Sequence, residues 1–184
     1  MLATLYNEGR GVSEDVVRAV KLLQDAAKMD NKHAKFHLGM MYEYGRGVPQ
    51  DFQYAAELYR QAGEHVPDAS YFLGLLFLQG RGVDQSFKRA REQFLKAVDL
   101  GSAQAMYALG QMHIHGQGCT IDYSQALYWL KLAVEQDDVR IRATADTVAK
   151  EIEYVLSQAD LQVQASERQL GVSFHVHIGN VDGN

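Results

Sequence analysis

Two pairs of histidines are the residues whose type and spacing could support metal chemistry in this sequence. His33 and His37 stand four residues apart, so on a helix they share one face at a spacing that can bind zinc. His175 and His177 alternate within residues 174–178, and a strand there would place both side chains on one face. The two pairs make a metal-dependent hydrolase one candidate activity.

The residues around these histidines make that activity the second choice. Ala34 occupies the place that glutamate takes in the His-Glu-x-x-His motif of metalloproteases. By repeat register Asp68 comes near the level of His33, whereas Glu167 and Asp182 lie outside the run that holds the second pair. No nucleophile, base and orienting acid can be assembled from the spacing. We therefore expect no catalytic residues, no metal site and no cofactor.

A recurring four-residue phrase indicates which elements position these side chains. It reads Gly-Arg-Gly-Val three times and Gly-Gln-Gly-Cys once, at intervals of 36, 35 and 36 residues, beginning at Gly9, Gly45, Gly80 and Gly116. A fixed period of this length marks a solenoid, whose units bury their apolar faces against one another. Glycine ends a helix with φ > 0 without a Cβ penalty, so the phrase predicts a turn between two helices.

The columns around the phrase predict one helix on each side of it. Before the phrase, apolar positions recur at i, i+4 and i+8, as at Ala34, Leu38 and Tyr42, which is one face of a helix that we name helix A. After it, good N-cap residues precede a second helix, helix B, whose apolar positions follow an i, i+4, i+7 pattern. The N-cap positions are Asp15, Asp51, Ser86 and Asp122.

This column pattern resembles the Sel-one-like repeat family, a relative of the tetratricopeptide repeats that is built from helix pairs. The resemblance covers residues 2–136 and departs from the family pattern at Ala3, Ser86, His113 and Cys119. It implies an all-α fold, a right-handed solenoid of about four stacked antiparallel helix pairs. We expect such a chain to act as a non-catalytic adaptor or scaffold that holds a protein or peptide partner.

The chain divides into three predicted segments. They are the repeat array over residues 1–136, a C-terminal capping helix over residues 137–165 and a tail over residues 166–184. The apolar stripe that starts at Ile141 favours a helix that covers the end of the array, with a coiled-coil dimerisation helix as the alternative. In repeat register the first helix A lacks about two turns, which leaves Leu2 and Leu5 uncovered. A structural homo-oligomer formed through this first repeat is therefore a further alternative.

The inner side of the A helices is the surface that we predict to bind the partner, since helix A lines the concave side of stacked helix pairs. Phe36, Tyr71 and Tyr107 occupy one column and predict a ladder of rings, which would serve either as peptide anchors or as packing between repeats. Glu43 and Asp68 favour a ligand that carries basic groups. The predicted groove residues are His33, Phe36, Met40, Glu43, Tyr44, Asp68, Tyr71, Leu75, Gln79, Gln104, Tyr107, Gln111 and His115.

Composition excludes several classes of partner. The net charge of −5 and the absence of a basic stripe argue against nucleic acid. No apolar run approaches the roughly 18 residues of a membrane span, so no membrane partner is predicted. Cys119 is the single cysteine, which rules out an internal disulfide, and we expect it to be a small buried residue. As written, the sequence is typical of a soluble cytoplasmic protein, and its compartment stays open because an upstream signal peptide would not be visible.

Overall fold

The computed structural model describes residues 15–170, and this part of the chain is helical apart from short connections. The eight helices of these residues are α1 (Val16–Lys28), α2 (Lys32–Tyr44), α3 (Phe52–Ala62), α4 (Pro67–Gln79), α5 (Phe87–Asp99), α6 (Ala103–His115), α7 (Tyr123–Val134) and α8 (Val139–Leu170). The A helices are α2, α4 and α6, and the B helices are α1, α3, α5 and α7. Every helix packs against the next one along the chain. The predicted all-α solenoid is thereby confirmed, whereas the short first helix A and the second histidine pair lie outside the described residues.

Side-chain caps begin the B helices at the predicted residues. The Oδ1 atom of Asp51 accepts a hydrogen bond from the backbone N–H of Tyr54 at 2.9 Å, and Asp15 and Asp122 cap α1 and α7 in the same way. Ser86 uses its Oγ atom, 3.2 Å from the N–H of the residue three positions later. These bonds satisfy amide groups that have no partner inside the helix. Each cap therefore fixes where its B helix begins.

Glycine ends each A helix and then brings the chain against the preceding repeat. Helix α4 is followed by Gly80, whose φ is 69° and whose N–H donates to the carbonyl of Leu76. Gly82 has a φ of 66°, so it also adopts the left-handed conformation that disfavours side chains. A Cβ atom on Gly82 would lie 2.3 Å from the carbonyl carbon of Phe52, at the start of α3. The second glycine of the phrase is thus a contact between repeats as well as a turn residue.

A further glycine column lies inside the A helices, where it makes room for a large side chain of helix B. A Cβ atom on Gly39 would lie 2.6 Å from Cε1 of Tyr59, and one on Gly74 would lie 2.5 Å from Cε1 of Phe94. Both rings are fully buried. They therefore rest directly on the backbone of the A helix, which explains why glycine follows leucine in this column.

Buried apolar side chains form three clusters along the stack. The central cluster joins α2 to α6 around Tyr59, Leu73, Phe77, Phe94 and Leu109, each at most 1% exposed. A second cluster lies between α1, α2 and α3, and a third joins α6, α7 and α8. Because each repeat buries apolar surface against its neighbours, no single repeat contains a complete core.

Helix α8 begins where the A helix of a fifth repeat would begin. Asp138 stands 36 residues after Ser102. Its Oδ1 atom accepts hydrogen bonds from the N–H groups of Arg140 at 3.0 Å and Ile141 at 3.1 Å. Ser102 caps α6 through the N–H of Ala105 in the same manner. The repeat period thus persists to the start of α8, although the sequence pattern after residue 139 no longer shows it.

Helix α8 is long because the glycine that ends the other A helices is missing from it. Ile152 stands 36 residues after Gly116 and is buried with Ala145 and Ala149 in the cluster that α8 shares with α7. With no helix-ending residue at this point, α8 runs to Leu170, beyond the predicted boundary at residue 165. Of the helices in residues 15–170, none combines the length and the apolar character needed to cross a membrane.

Candidate partner-binding surface

The A helices present a set of accessible side chains that we name the A-helix surface. Four of the predicted groove residues are exposed, namely His33, Tyr44, Gln79 and His115. Seven others are half-buried, namely Met40, Asp68, Tyr71, Leu75, Gln104, Tyr107 and Gln111. These eleven residues constitute the A-helix surface, and their role in binding stays a prediction. The two remaining predicted residues, Phe36 and Glu43, are buried.

Phe36 belongs to the core and is not an accessible rung of the predicted ring ladder. Its side chain is 6% exposed, and its ring centroid lies 5.9 Å from that of Tyr59 and 5.8 Å from that of Phe72. Phe72 supplies the covering ring, whereas the equivalent position of α6 is the small Ala108. The column therefore packs between repeats at Phe36 and becomes accessible further along the stack.

Glu43 is likewise withdrawn from the surface, because it forms a buried pair with Tyr59. The residue is 8% exposed, and its Oε2 atom accepts a hydrogen bond from the Tyr59 hydroxyl at 2.6 Å. Burial, together with this bond to a carboxylate, raises the pKa of Tyr59 well above its ordinary value. The expectation that Glu43 offers a free charge to a ligand is corrected accordingly, since its carboxylate is already engaged inside the protein.

Tyr44, Tyr71 and Tyr107 form the accessible aromatic part of the A-helix surface. Tyr71 contributes a ring from α4, with centroid distances of 5.5 Å to Phe72 and 5.9 Å to Phe94. Burial raises the pKa of its hydroxyl, and Tyr107, Tyr44 and Asp68 lie close enough to raise it further. The Tyr71 hydroxyl is therefore within electrostatic reach of one tyrosine on each neighbouring A helix and of the Asp68 carboxylate.

At one edge of the A-helix surface, Gln104 contacts the connection between α7 and α8. The Nε2 atom of Gln104 donates to Oδ2 of Asp138 at 3.2 Å, and its Oε1 atom accepts from the Ser102 hydroxyl at 3.2 Å. Asp138 was not among the predicted groove residues, although its position 36 residues after Ser102 is a signal that could have revealed it. Gln104 is therefore less free than the other amides of the surface.

Formal charge differs between two of the A helices, α4 and α6, and the B helix α5 that lies between them in sequence. Among the Asp, Glu, Lys and Arg residues of the chain, α4 and α6 together contain only Asp68. Helix α5, which lies between them in sequence, carries Lys88, Arg89, Arg91, Glu92, Lys96 and Asp99. The core of a protein–protein interface is typically poor in charge and rich in aromatic residues. The two central A helices have this composition, and the B helix between them does not.

The histidines and the cysteine do not assemble into a metal centre in the described part of the chain. Within residues 15–170, no three His, Cys, Asp or Glu side chains are placed to hold a metal ion. His113 is buried, and its Nδ1 atom lies 3.7 Å from Sγ of Cys119. Cys119 is half-buried rather than fully buried, and its thiol donates to the carbonyl of Met112 at 3.7 Å.

Two depressions in the described residues lie away from the A-helix surface. One, of about 450 Å³, is lined by residues of α3 and of the turn after α4, including Tyr54, Glu57 and Arg60. The other, of about 410 Å³, lies among α1, α2 and α3. Glu57 and Arg60 form an ion pair across one turn of α3. Their open shape and mixed charges distinguish these depressions from an apolar ligand pocket.

Comparison with known proteins identifies the family. The model of the Sel1 repeat matches residues 1–31, 32–65, 67–102 and 103–138, which is most of the chain. The chain belongs to the Sel1 repeat family. The Sel1 repeat protein from Oxalobacter formigenes has a similar structure, with a TM-score of 0.73 at 30% identity, covering 78% of this chain and 59% of that one. The c5321 antigen of uropathogenic Escherichia coli gives a TM-score of 0.71 at 30% identity, covering 76% and 30%.

Curated relatives are much longer than this Sel1 repeat chain. It is 39% identical over 62 residues to the ERAD-associated E3 ubiquitin-protein ligase component HRD3B of Arabidopsis thaliana, covering 34% of this chain and 10% of the relative. It is 32% identical over 154 residues to the chitin synthase regulator SKT5 of Malassezia restricta, covering 80% and 11%. The chain thus spans about a tenth of the length of these relatives.

Proposed function

We propose that this Sel1 repeat chain is a non-catalytic adaptor that holds a segment of a protein partner on its A-helix surface. The observation that carries the proposal is the contrast in charge between the central A helices and the B helix between them. Charge raises the cost of removing a surface from water, so the weakly charged, tyrosine-bearing side is the one suited to partner contact. Helix α5, with six charged residues, is suited to remain in solvent.

The relatives support a role in assembly. HRD3B is named as a component of a ubiquitin ligase, and SKT5 as a regulator of chitin synthase. Both names describe proteins that act through another protein. Transfer of such a role to this chain is part of the proposal, because the match covers about a tenth of each relative.

Binding on this surface would be equilibrium docking onto a preformed site. The ring of Tyr71 contacts the rings of Phe72 and Phe94, so little side-chain freedom is lost when a partner covers it. Gln79 on α4 and Gln111 on α6 offer amide groups of the same surface for hydrogen bonds with a partner backbone. A rigid aromatic anchor among polar neighbours is the usual composition of a binding hot spot.

The Tyr71→Ala variant tests the proposal. We expect it to weaken binding to a partner captured by affinity purification by about 2 kcal/mol or more, as measured by calorimetry with the purified partner. The same substitution at Tyr128, which is 52% exposed on α7, is the matched control and should leave affinity unchanged. Gln79→Ala and Gln111→Ala examine the same surface with less effect on packing.

Stability must be measured beside affinity, because Tyr71 also contacts Phe94. If Tyr71→Ala lowered the melting temperature and left partner affinity unchanged, the ring would be packing only. The proposed surface would then be wrong. An equal loss of affinity in the Tyr128→Ala control would contradict the proposal as well.

A further inference from the structure

Asp68 is the only fixed charge on the two central A helices, and its position beside Tyr71 has a chemical consequence. The carboxylate is half-buried in the first turn of α4, three residues before Tyr71, so both side chains lie on one face of the helix. The influence of Asp68 on the Tyr71 hydroxyl shows that the two groups are within electrostatic reach. Tyr44 and Tyr107 approach the same hydroxyl from the neighbouring A helices.

Three cationic side chains on or beside the A helices, Arg81, Lys32 and Lys35, contact other groups. Helices α4 and α6 contain no lysine or arginine. Arg81, at the opposite end of α4, acts on the Tyr44 hydroxyl and places its guanidinium 5.4 Å from the centroid of the Phe52 ring. On α2, Lys32 and Lys35 both pair with Asp30. The surface around Asp68 therefore has a negative charge and aromatic faces without a cation of its own on α4 or α6.

We propose that Asp68 and Tyr71 form a subsite for a lysine or arginine side chain of the bound partner segment. This inference rests on the proposed function and adds the chemistry of the ligand. The carboxylate would accept a charge-assisted hydrogen bond from the ammonium or guanidinium group. The face of the tyrosine ring attracts the same cation through its quadrupole, and partial burial strengthens both interactions.

The helix itself supplies a competing explanation for Asp68. A negative charge in the first turn of a helix interacts favourably with the backbone N–H groups, and α4 has no side-chain cap, so Asp68 could serve stability alone. A structural role of this kind predicts no preference for the charge of a ligand. A measurement of ligand preference therefore separates the two roles.

The test is a selection of binding peptides from a random dodecapeptide display library on the immobilised full chain. The wild type should enrich peptides with lysine or arginine at one position. Asp68→Asn should abolish that enrichment and weaken a selected basic peptide roughly tenfold or more. Asp84→Asn, which removes the same charge from an exposed turn, should change neither result. Asp68→Lys should enrich acidic peptides instead.

The outcomes separate this inference from the proposed function. Peptides that depend on Tyr71 but show no basic preference would overturn the subsite and leave the binding surface standing. Peptides that bind equally well to Tyr71→Ala, or a selection that enriches nothing, would contradict the surface and the subsite together. Melting curves of each variant establish that the changes in preference occur in folded protein.

Discussion

Single glycines determine how closely the repeats stack. Gly82 combines a left-handed φ of 66° with a backbone contact to Phe52 that leaves no space for a side chain. Gly101 has a φ of 86° and nothing within 4 Å of its Cβ position. A substitution at Gly101 therefore costs only backbone strain, whereas one at Gly82 also displaces a neighbouring repeat.

We expect Gly82→Ala to lower the free energy of unfolding by about 3 kcal/mol or more, because the methyl group must push α3 away as well as strain the turn. Gly101→Ala should cost only the strain, about 1 kcal/mol. Chemical denaturation of both variants measures the difference. Equal losses would show that the contact with Phe52 relaxes at no cost.

Glu43 and Tyr59 form a buried polar pair at two positions where the third and fourth repeats have apolar residues. At the equivalent positions the third repeat has Leu78 and Phe94, and the fourth has Ile114 and Leu130. The hydroxyl and the carboxylate thus occur together or not at all in these three repeats. A carboxylate at this depth requires a donor, which Tyr59 supplies.

Removing only the hydroxyl should be worse than removing both polar groups. Tyr59→Phe leaves the buried carboxylate without this donor and should cost about 1–3 kcal/mol of stability. The double variant Glu43→Leu with Tyr59→Phe imports the residues of the third repeat and should recover most of that loss. A double-mutant cycle by urea denaturation measures the coupling. Additive effects of the two substitutions would contradict the interpretation.

At the scale of the element, α8 combines an A helix of a fifth repeat with an extension that has no equivalent in the array. Its first half is anchored by Arg142, whose Nε and Nη2 atoms donate to the carbonyl of Gln136 at 3.2 Å and 2.7 Å and so cap the end of α7. Its second half contains accessible apolar residues, with Leu161 56% exposed and Val163 49% exposed. The two halves should therefore contribute differently to stability.

Truncation distinguishes the two halves of α8. A chain that ends at Leu156 should keep a melting temperature close to that of the full chain, because residues 157–163 are exposed. A chain that ends at Arg140 loses the buried Ala145, Ala149 and Ile152 and uncovers Leu130. It should lose on the order of 3 kcal/mol or more. Equal stability of the two truncated chains would show that α8 does not cover the array.

At the scale of the whole molecule, the stack is held by contacts between neighbours, and its stability should vary along its length. The largest apolar cluster spans α2 to α6, so α4 and α5 have buried neighbours on both sides. Residues 157–164 of α8 are exposed, so this part of the helix buries little surface against the array. Repeat proteins of this kind open from their ends in units of one or two helices.

Native-state hydrogen exchange should reveal that gradient. We expect the slowest amides in α4 and α5 and the fastest exchange in residues 157–170. Mass spectrometry of peptides from each helix gives the comparison. Uniform protection along the chain would indicate a single cooperative unit in place of a stack with graded stability.

The sequence alone determined the repeat, the helix pairs and their ends, because these depend on local chemistry. Each of these features can be recognised within one repeat unit. They are a glycine that must adopt a positive φ, an Asp or Ser that caps a helix, and an apolar face with helical spacing. Gly80 and Asp51 behave as their residue types predict. The sequence also indicated the A helices as the binding side, which stays a prediction.

Only the tertiary structure decided which members of one column reach the surface. Phe36 and Tyr107 are equivalent in sequence, yet a ring from the next repeat covers the first, while the second stays accessible. Glu43 was expected to offer a charge to a ligand, but its carboxylate is buried and accepts a hydrogen bond from Tyr59, sixteen residues away. Exposure at each position depends on the size of side chains contributed by a neighbouring repeat, and this contact is not encoded within the repeat itself.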